Sequence, residues 1–591
     1  MCGIVGFIGK ERAAPLLLDT LRLLDYRGYD SAGVATVWEG EVWHQKDVGK
    51  VEEVQARHRL DRLPGQVGIG HVRWATHGRV TQANAHPHFD CRREIALVHN
   101  GIIDNYQELR RELEGRHTFA SETDSEVLCH LIEEYLENGL PPEQAVREAT
   151  RRVTGSYALA VVFSRYPDIM VGARRNSPLV VGVGEGGSWL ASDLVCLGGR
   201  ARGFYLVEED ETVLLGNGAV HFYGPDGCGK EKEPLPLTKQ WDIPNKNGYP
   251  FFILKEIMEE PQALEMALAQ DRGVLMDLAL AILRARQVVI AACGTSRHAA
   301  IIGRYLFSRL AGKFCDVVMA SEFQYFSDSI DKNTLVIAVS QSGETADVME
   351  GVRQARARGA QVMSLVNVPA SSLVRMSDQS MYLNCGPELG VAATKSFTNQ
   401  LAIFYLLAHA MANGVQTAQD KLSLVAQEIR AMLTPGYLEK VMDLARATVD
   451  KRDFYFLGRG INFAVATEGA LKLKELSYVH AEGMAAGELK HGTLALIEEG
   501  TPVIAIAPQD YTYHESLGNA METRARGAFV IGVSDADNEI FSTWLPIPRV
   551  EDIFYPLVSV IPLQLFAYCA AVCRGLDPDR PRNLAKSVTV K

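Results

Sequence analysis

A repeated α/β unit in the second half of the chain constrains the fold more than any other feature of the sequence. Residues 334–366 read as a short apolar strand, a helix ending in Ala-Arg-Gly-Ala, and a second apolar strand. Residues 501–533 repeat this order, and the upstream strand at 288–294 matches that at 454–458. Short apolar strands separated by helices are typical of parallel sheets. The sequence therefore predicts two tandem, doubly wound α/β domains.

The first half of the sequence has a different pattern, which predicts many short strands and only a few helices. Proline and glycine are dense between residues 224 and 249, which marks a connection between domains. A chain of 591 residues is too long for a single core. We predict an N-terminal domain, a linker, two α/β domains and a tail, with the boundaries 1–235, 236–252, 253–435, 436–575 and 576–591.

Charge and cysteine content narrow the class of protein. The net charge of −12 argues against nonspecific binding to nucleic acid or to anionic membranes. Ten cysteines form neither a dense framework nor a CxxC pair with zinc spacing, which fits a reducing cytoplasm. We expect no signal peptide here, since the N-terminus lacks a basic region and Lys10 to Arg12 interrupt its apolar run. The longest apolar stretch, 558–572, contains Pro562 and predicts a buried helix.

Cys2 is the first candidate for chemistry. Removal of Met1 would make Cys2 the N-terminus, and its own α-amino group could then accept the thiol proton. No catalytic histidine would be required. A buried structural thiol at an ordinary first strand fits these residues equally well.

Polar residues follow two predicted strands of the first half. We expect strand 68–72 to deliver the segment from Arg73 to Gly78, and strand 95–99 to deliver Asn100-Gly101 at its end. An Asn side chain with a Gly N–H could stabilise an oxyanion, although Asn-Gly is also a common hairpin turn. Arg73 and Asp124 could hold a carboxylate and an amino group, or be a solvated charge and a helix start. His86-Pro87-His88 has no third metal ligand at a suitable spacing.

In the first α/β copy, Ser340 to Thr345 form a hydroxyl-rich turn before a helix. Backbone N–H groups and hydroxyls at a helix start suit a phosphate, although an ordinary capped helix fits as well. No GK[ST] follows, which argues against a nucleoside triphosphate. The second copy has Pro508 to Tyr511 there, with an acid and no glycine, so we predict one phosphate site per chain.

The second copy offers other candidates. Glu468, Lys472 and Glu475 would share one face of a helix, as a proton shuttle or as an exposed salt-bridge face. His491 lies in a glycine-flanked loop. The basic tail around Lys586 could be a frayed terminus.

Ordered motifs along the whole chain resemble a known family. The N-terminal motifs resemble the glutaminase domain of class II glutamine amidotransferases, and the later ones resemble the two sugar isomerase (SIS) domains and tail of isomerising glutamine:fructose-6-phosphate aminotransferases. They are CGIVG at 2–6, YRGYDSAG at 26–33, HVRWATHG at 71–78, NAHPH at 84–88, HNGIIDN at 99–105, SETDSE at 121–126, ACGTS at 292–296, SQSGETAD at 340–347, NVPASSLVR at 367–375, LGVAATKSFT at 389–398, LGRG at 457–460, EGALKLKELSYVHAE at 468–482, AAGELKHG at 485–492 and PRNLAKSVTV at 581–590.

The resemblance implies an αββα N-terminal-nucleophile (Ntn) hydrolase fold followed by two α/β SIS domains, and a role for each motif residue. Catalysis would use Cys2 as nucleophile, Asn100 and Gly101 as oxyanion hole, and Lys472, Glu475, His491 and Lys586 for sugar chemistry. The glutamine-binding set is Arg73, Trp74, Thr76, His77 and Asp124. The sugar-phosphate-binding set is Thr295, Ser296, Ser340, Gln341, Ser342, Thr345, Val391 and Ala585.

The implied reaction converts glutamine and fructose 6-phosphate into glucosamine 6-phosphate and glutamate, with internal ammonia transfer gated by Trp74, as the first step of hexosamine biosynthesis. It needs no metal or organic cofactor, because every step is acid–base, nucleophilic or imine chemistry. A cytoplasmic homodimer is implied, with a neighbouring subunit completing the sugar site. Arg297 and Thr493 depart from the family pattern and leave the exact sugar open. A paralogue acting on another keto-sugar phosphate, or a non-catalytic SIS sensor, is the alternative.

Overall fold

The computed structural model describes residues 2–25, 27–216, 218–237, 245–369 and 371–588. The expected removal of Met1, Tyr26 in its motif, the centre of the predicted linker and the last residues of the predicted tail lie outside this description. The chain forms two compact units, an N-terminal unit of Met1–Asn245 with Ser587–Lys591 and a C-terminal unit of Lys246–Lys586.

The N-terminal unit combines short strands with a few helices. Its described strands are β1 Gly3–Gly9, β2 Ser31–Trp38, β3 Glu41–Val48, β4 Val67–Arg73, β5 His88–Phe89, β6 Ile95–Ile103, β7 Gly155–Phe163, β8 Tyr166–Arg175, β9 Val180–Gly184, β10 Gly187–Ala191, β11 Gly203–Leu206, β12 Thr212–Gly216, β13 Ala219–Tyr223, β14 Gly229–Lys230 and β15 Leu235–Pro236. Its described helices are α1 Ala13–Leu24, α2 Val51–His58, α3 Tyr106–Leu113, α4 Glu126–Glu137 and α5 Pro142–Arg152.

These strands form two antiparallel sheets that pack face to face. One has the order β15-β11-β9-β10-β1-β4-β2-β3 and the other β14-β13-β12-β8-β7-β6-β5. Ile4, Val98 and Met170 belong to the apolar core between them. Leu128 and Val146 of α4 and α5 share a second core with the outer face of the β6-β7-β8 sheet. The unit has the predicted αββα character.

The C-terminal unit alternates strands and helices. Its described strands are β16 Gln287–Ala292, β17 Asp316–Met319, β18 Thr334–Ser340, β19 Gln361–Val366, β20 Gln379–Tyr382, β21 Asp453–Gly458, β22 His480–Ala485, β23 Pro502–Ile506, β24 Phe529–Ser534 and β25 Thr543–Pro546. Its described helices are α6 Phe252–Met258, α7 Glu260–Ala267, α8 Arg272–Arg284, α9 Gly294–Ala311, α10 Phe323–Phe326, α11 Ala346–Ala357, α12 Ser372–Met376, α13 Lys395–Met411, α14 Val415–Met432, α15 Pro435–Ala447, α16 Asn462–Ser477, α17 Tyr513–Arg524 and α18 Tyr555–Cys573.

Both α/β copies have the same topology. The sheets run β17-β16-β18-β19-β20 and β22-β21-β23-β24-β25, all parallel, so each has the order 2-1-3-4-5. This confirms the predicted tandem parallel sheets. In this order the connections diverge between the first and third strands, and ligands of such folds bind at the carboxyl ends of those strands.

One continuous core links the two α/β copies within the C-terminal unit. It includes Ile290 of β16, Ile504 of β23 and most of α13 and α18. The segment Asp552–Cys573 is long and apolar enough to span a membrane, but 89% of its most apolar window is buried inside the protein. The apolar run therefore forms a core helix, as the sequence predicts. The predicted domain boundaries at 235, 252, 435 and 575 remain predictions.

Candidate active sites

Cys2 directly precedes β1 and is held by contacts from its own sheet and from the facing sheet. Gly3 pairs with Val72 of β4, which brings Cys2 next to the chain after that strand. The Trp74 N–H donates to Cys2 Sγ at 3.2 Å, and Asn100 Nδ2 donates to the Cys2 carbonyl oxygen at 3.1 Å. Burial raises the pKa of the Cys2 thiol. Forming the thiolate therefore requires a base beside it.

Asn100 and Gly101 lie inside a strand, and the prediction that they follow its end is wrong. β6 continues through Ile103, because pairing with β7 persists to the partner of Ile103, Gly155. Gly101 has φ +134°, and a Cβ there would lie 2.0 Å from the Ser156 carbonyl oxygen. Only glycine fits this close approach of two backbones. The hairpin-turn alternative is excluded as well.

His71 orients the Asn100 amide, a role that the sequence did not suggest. His71 Nε2 lies 3.0 Å from both Asn100 Oδ1 and the His99 carbonyl oxygen. Because both partners are acceptors, Nε2 carries the proton, and the Asn100 NH₂ group is left to face Cys2. Burial lowers the pKa of His71 to about 3, so the ring is neutral at physiological pH. The only feature of the sequence that pointed to His71 was its position at the start of the HVRWATHG motif.

Arg73 and Asp124 lie close enough for their charges to act on the Cys2 thiol. The buried Arg73 guanidinium donates to the carbonyl oxygens of His77 and Gly78, so it also shapes the loop after β4. Asp124 Oδ2 accepts the Ile103 N–H at 2.8 Å. Thr76 is exposed on that loop, 3.4 Å from His77 Nδ1.

The histidines of the NAHPH motif are structural in this arrangement. His86 and His88 are buried in an edge-on pair with ring centroids 4.4 Å apart, and the His71 ring packs against His86 at a tilt, with centroids 4.1 Å apart. Burial lowers the pKa of both His86 and His88 well below its usual value. The neutral, packed rings support the loops around His71.

A second polar cluster forms at the switch point of the first α/β copy. β16 and β18 are parallel neighbours, and α9 and α11 begin directly beyond their carboxyl ends. The segments Gly294–Ser296 and Ser340–Thr345 therefore meet where two helix N-termini converge. Such a place favours an anion, because the first N–H groups of a helix have no partner within the helix and the helix dipole is positive there.

The turn after β18 has the geometry expected of a phosphate cradle. Ser340 Oγ lies 2.9 Å from Thr345 Oγ1 and accepts the Gly343 N–H at 3.0 Å. Ser342 Oγ accepts the Glu344 N–H at 3.2 Å. Gly343 has φ +65°, and a Cβ there would lie 2.1 Å from Ser371 Oγ. The hydroxyls of the turn thus gather around its backbone amides. Gln341 belongs to the same turn, and its carbonyl oxygen accepts the Asn367 N–H at 2.9 Å.

Thr295 and Ser296 have partners outside this turn. Thr295 Oγ1 donates to Glu468 Oε1 at 3.0 Å and accepts from Lys472 Nζ at 3.1 Å. Ser296 Oγ accepts from Gln400 Nε2 at 3.0 Å. The Thr295 hydroxyl therefore connects the first copy to α16 of the second.

The charged face of α16 is buried, so the exposed salt-bridge alternative is wrong. Lys472 Nζ lies 2.5 Å from Glu475 Oε2 and 3.5 Å from Glu468 Oε1, and both Lys472 and Glu468 are fully buried. Burial alone would lower the pKa of Lys472, but the charges of Glu475 and Glu468 outweigh it and raise that pKa. Lys472 is therefore a fixed cation that holds the Glu475 carboxylate in place.

The described part of the C-terminal tail is docked through Lys586 and is not frayed there. The Asp579 carboxylate accepts the N–H groups of Phe252 and Ile253 at 2.9 Å each, and its carbonyl oxygen accepts the Val391 N–H at 3.2 Å. Lys586 Nζ pairs with Glu388 and donates to the Gly390 carbonyl oxygen at 2.8 Å. Ala585, next to Lys586, is half-buried. The tail thus brings Lys586 to the 388–391 loop.

Two carboxylates around Lys586 were not predicted from the sequence. Glu388 accepts the N–H groups of Thr394 and Ser396, at 2.9 and 3.0 Å. Burial opposes its charge, but the Lys586 cation and these bonds outweigh burial and lower the pKa of Glu388. The pKa of Glu256 is raised to about 7, mainly by burial and to a smaller extent by the negative charge of Glu388. Glu388 directly precedes the LGVAATKSFT motif, which was the only signal for it.

His491 is exposed at the end of the 3₁₀ turn Ala486–His491, and no hydrogen bond or ion pair joins it to Glu475 or Lys586 in the described part of the chain. At the second switch point the buried Asp510 accepts from Asn462 Nδ2 at 2.8 Å and from the Thr512 N–H at 2.8 Å. A carboxylate there disfavours a phosphate.

Known protein families match both halves of the chain. Residues 71–198 match the glutamine amidotransferase domain family, and residues 281–410 and 449–574 match the SIS domain family. The class defined by fold and site is a glutamine amidotransferase joined to two SIS domains.

Relatives match the chain from end to end. Glutamine–fructose-6-phosphate aminotransferases [isomerizing] from Methanothermobacter thermautotrophicus and Symbiobacterium thermophilum are 46% and 44% identical over 100% of both chains. The chain belongs to the family of isomerising glutamine–fructose-6-phosphate aminotransferases.

Solved structures resemble the C-terminal half. The C-terminal domain of glucosamine-fructose-6-phosphate aminotransferase from Francisella tularensis is 35% identical, with a TM-score of 0.53, and covers 57% of this chain and 100% of its own. Tagatose-6-phosphate ketose/aldose isomerase from Escherichia coli shares the fold, with 21% identity and a TM-score of 0.50, over 56% of this chain and 95% of its own.

Proposed function

We propose that the chain converts L-glutamine and D-fructose 6-phosphate into L-glutamate and D-glucosamine 6-phosphate, the first step of hexosamine biosynthesis. One observation carries the proposal. A single chain that matches this enzyme family along its whole length holds an oriented cysteine–asparagine pair in one unit, and both a docked lysine and a hydroxyl-rich turn in the other.

At the first site the Cys2 α-amino group accepts the thiol proton, and Sγ attacks the glutamine amide carbon. The oxygen that becomes negative is stabilised by Asn100 Nδ2 and the Gly101 N–H. The carbon–nitrogen bond breaks, ammonia leaves with the proton, and water releases glutamate from the thioester. Asp124 pairs with the glutamine amino group and Arg73 with its carboxylate. Trp74, Thr76 and His77 surround them.

At the second site Ser340, Gln341, Ser342 and Thr345 bind the sugar phosphate, with Thr295, Ser296, Val391 and Ala585 around the sugar. Lys586 Nζ condenses with the C2 ketone and releases water. Ammonia from the first site then replaces the lysine. Glu475 removes a proton from C1 and returns it to C2, which yields the aldose with its amine at C2. The Lys472 ammonium holds Glu475 in position.

His491 assists ring opening of the sugar. Its exposure supports a homodimer in which a neighbouring subunit supplies this histidine. We assign the glutaminase to residues 1–235 and the SIS domains to 253–435 and 436–575. The linker is 236–252 and the catalytic tail is 576–591. A cytoplasmic location fits this biosynthetic role.

The proposal is tested by incubating the purified protein with glutamine and a panel of keto-sugar phosphates, and detecting products by mass spectrometry. We expect glucosamine 6-phosphate from fructose 6-phosphate. Cys2→Ala should abolish synthesis from glutamine but keep synthesis from ammonium salts. No hexosamine phosphate from either nitrogen donor would overturn the proposal, and a better product from another ketose phosphate would correct the substrate.

A further inference from the structure

The N-terminal unit contains a cluster of metal-ligating side chains outside the Cys2 site. Cys91 lies in the turn between β5 and β6, His117 lies between α3 and α4, and His130 and Glu133 lie one turn apart on α4. Their ligand atoms, Cys91 Sγ, the two His Nδ1 atoms and a Glu133 carboxylate oxygen, all lie within 4.8 Å of one another. Four donors from three separate segments thus point at one place.

The sulfur–nitrogen distances within the cluster match those of a tetrahedral zinc site, and the nitrogen–oxygen distances are shorter, as in a metal-free hydrogen-bonded cluster. With Zn–N and Zn–O of about 2.1 Å and Zn–S of about 2.3 Å, donors lie about 3.4 Å apart for N and O pairs and about 3.6 Å for N and S pairs. Cys91 Sγ lies 3.5 Å from His117 Nδ1 and 3.7 Å from His130 Nδ1. Glu133 Oε2 lies 2.9 and 3.2 Å from the same two nitrogens.

The surroundings present the correct nitrogen of each histidine. His117 Nε2 lies 3.2 Å from Glu134 Oε1, and His130 Nε2 lies 3.8 Å from Glu126 Oε1. A proton on each Nε2 faces a carboxylate, which leaves the Nδ1 lone pairs directed into the cluster. Carboxylates behind metal-binding histidines are a common second layer of metal sites. The Thr118 N–H also donates to Cys91 Sγ at 3.5 Å.

We propose that Cys91, His117, His130 and Glu133 bind one structural zinc ion. A Cys-His₂-Glu set supplies four protein ligands and leaves no position for substrate, so the ion takes no part in the transfer reaction. It would tie the β5–β6 turn and the 117–118 segment to α4. β6 carries Asn100 and the start of α4 follows Asp124, so the ion would stabilise the framework of the first site. The rival explanation is an ion pair of Glu133 with protonated histidines and no metal.

The test uses full-length, untagged protein in a Cys2→Ala background, which removes the thiol at the N-terminus. The protein is saturated with Zn²⁺ or Co²⁺, freed of excess metal by gel filtration, and analysed by plasma mass spectrometry and absorption spectroscopy. We expect about one tightly bound ion per chain, and for Co²⁺ the thiolate-to-metal charge-transfer band of a tetrahedral site.

Cys91→Ser and His117→Ala should each lose at least tenfold in metal affinity. Cys228→Ser is the matched control, because Cys228 is a second exposed cysteine of the same unit and lies outside the cluster. It should keep both the ion and the charge-transfer band. Failure of the parent protein to retain metal, or equal retention and an unchanged cobalt spectrum in Cys91→Ser, would overturn the proposal in favour of the ion pair.

Discussion

We predict that His71 affects the rate of glutamine hydrolysis through its hydrogen bond to Asn100 and not through contact with the substrate. Removing one oxyanion donor from an acyl-transfer site costs about 10²- to 10³-fold in kcat, or about 2.7–4 kcal/mol. Asn100→Ala should therefore reduce glutamine hydrolysis by that factor. His71 contributes one neutral hydrogen bond to Asn100 Oδ1 at 3.0 Å, which is worth about 0.5–1.5 kcal/mol. His71→Leu should accordingly cost only about 2- to 10-fold.

The two effects should not add, because His71 acts through Asn100. We expect the Asn100→Ala/His71→Leu double variant to match Asn100→Ala alone in glutamate release. His71→Gln keeps an N–H donor and should recover part of the loss. Ammonia-dependent synthesis of glucosamine 6-phosphate bypasses the first site and reports folding. Multiplicative losses in the double variant, or a loss in the ammonia-dependent reaction, would refute the positioning role.

Three further predictions concern the sugar site and pH. Lys586→Ala should abolish hexosamine phosphate formation while glutamine hydrolysis persists. Lys474→Ala serves as the control, because Lys474 is exposed. Product formation by Lys586→Ala would contradict the imine step. Gly343→Ala should raise KM for the sugar phosphate about tenfold, because a left-handed backbone costs a non-glycine residue about 1–2 kcal/mol. Gly359→Ala is the control: Gly359 also has a positive φ but lies outside the turn, so KM should not change. The pKa of His71 is lowered to about 3 in the folded state, so the unfolded state binds more protons below pH ~6.5 and stability falls as pH falls. Urea titrations should show about 2 kcal/mol lost at pH 5 from His71 alone, and a His71→Gln variant with the same pH slope would contradict this.

The sequence by itself determined the fold class and the motifs. The pattern of apolar residues and the internal repeat were sufficient to predict the tandem parallel sheets, because each copy places short apolar strands between helices in the same order. The Cys2 and Lys586 motifs were also visible along the chain. These features are local, so spacing and residue type express them.

Tertiary structure alone decided which alternatives hold. The helical spacing of Glu468, Lys472 and Glu475 is the same whether that face is exposed or buried, and only packing shows that Lys472 and Glu468 are fully buried. The Asn-Gly pair suited a turn until pairing of β6 with β7 extended the strand through it.

The residues that sequence reasoning missed share one property. His71, Glu388 and the four side chains of the cluster that includes Cys91 contact groups that are distant in the chain or on another element. Glu388, for example, contacts Lys586, which is 198 residues away. Linear spacing carries no signal for a contact that strand pairing and helix packing create. The sequence thus indicated where the chemistry lies, and the tertiary structure determined which groups orient and stabilise it.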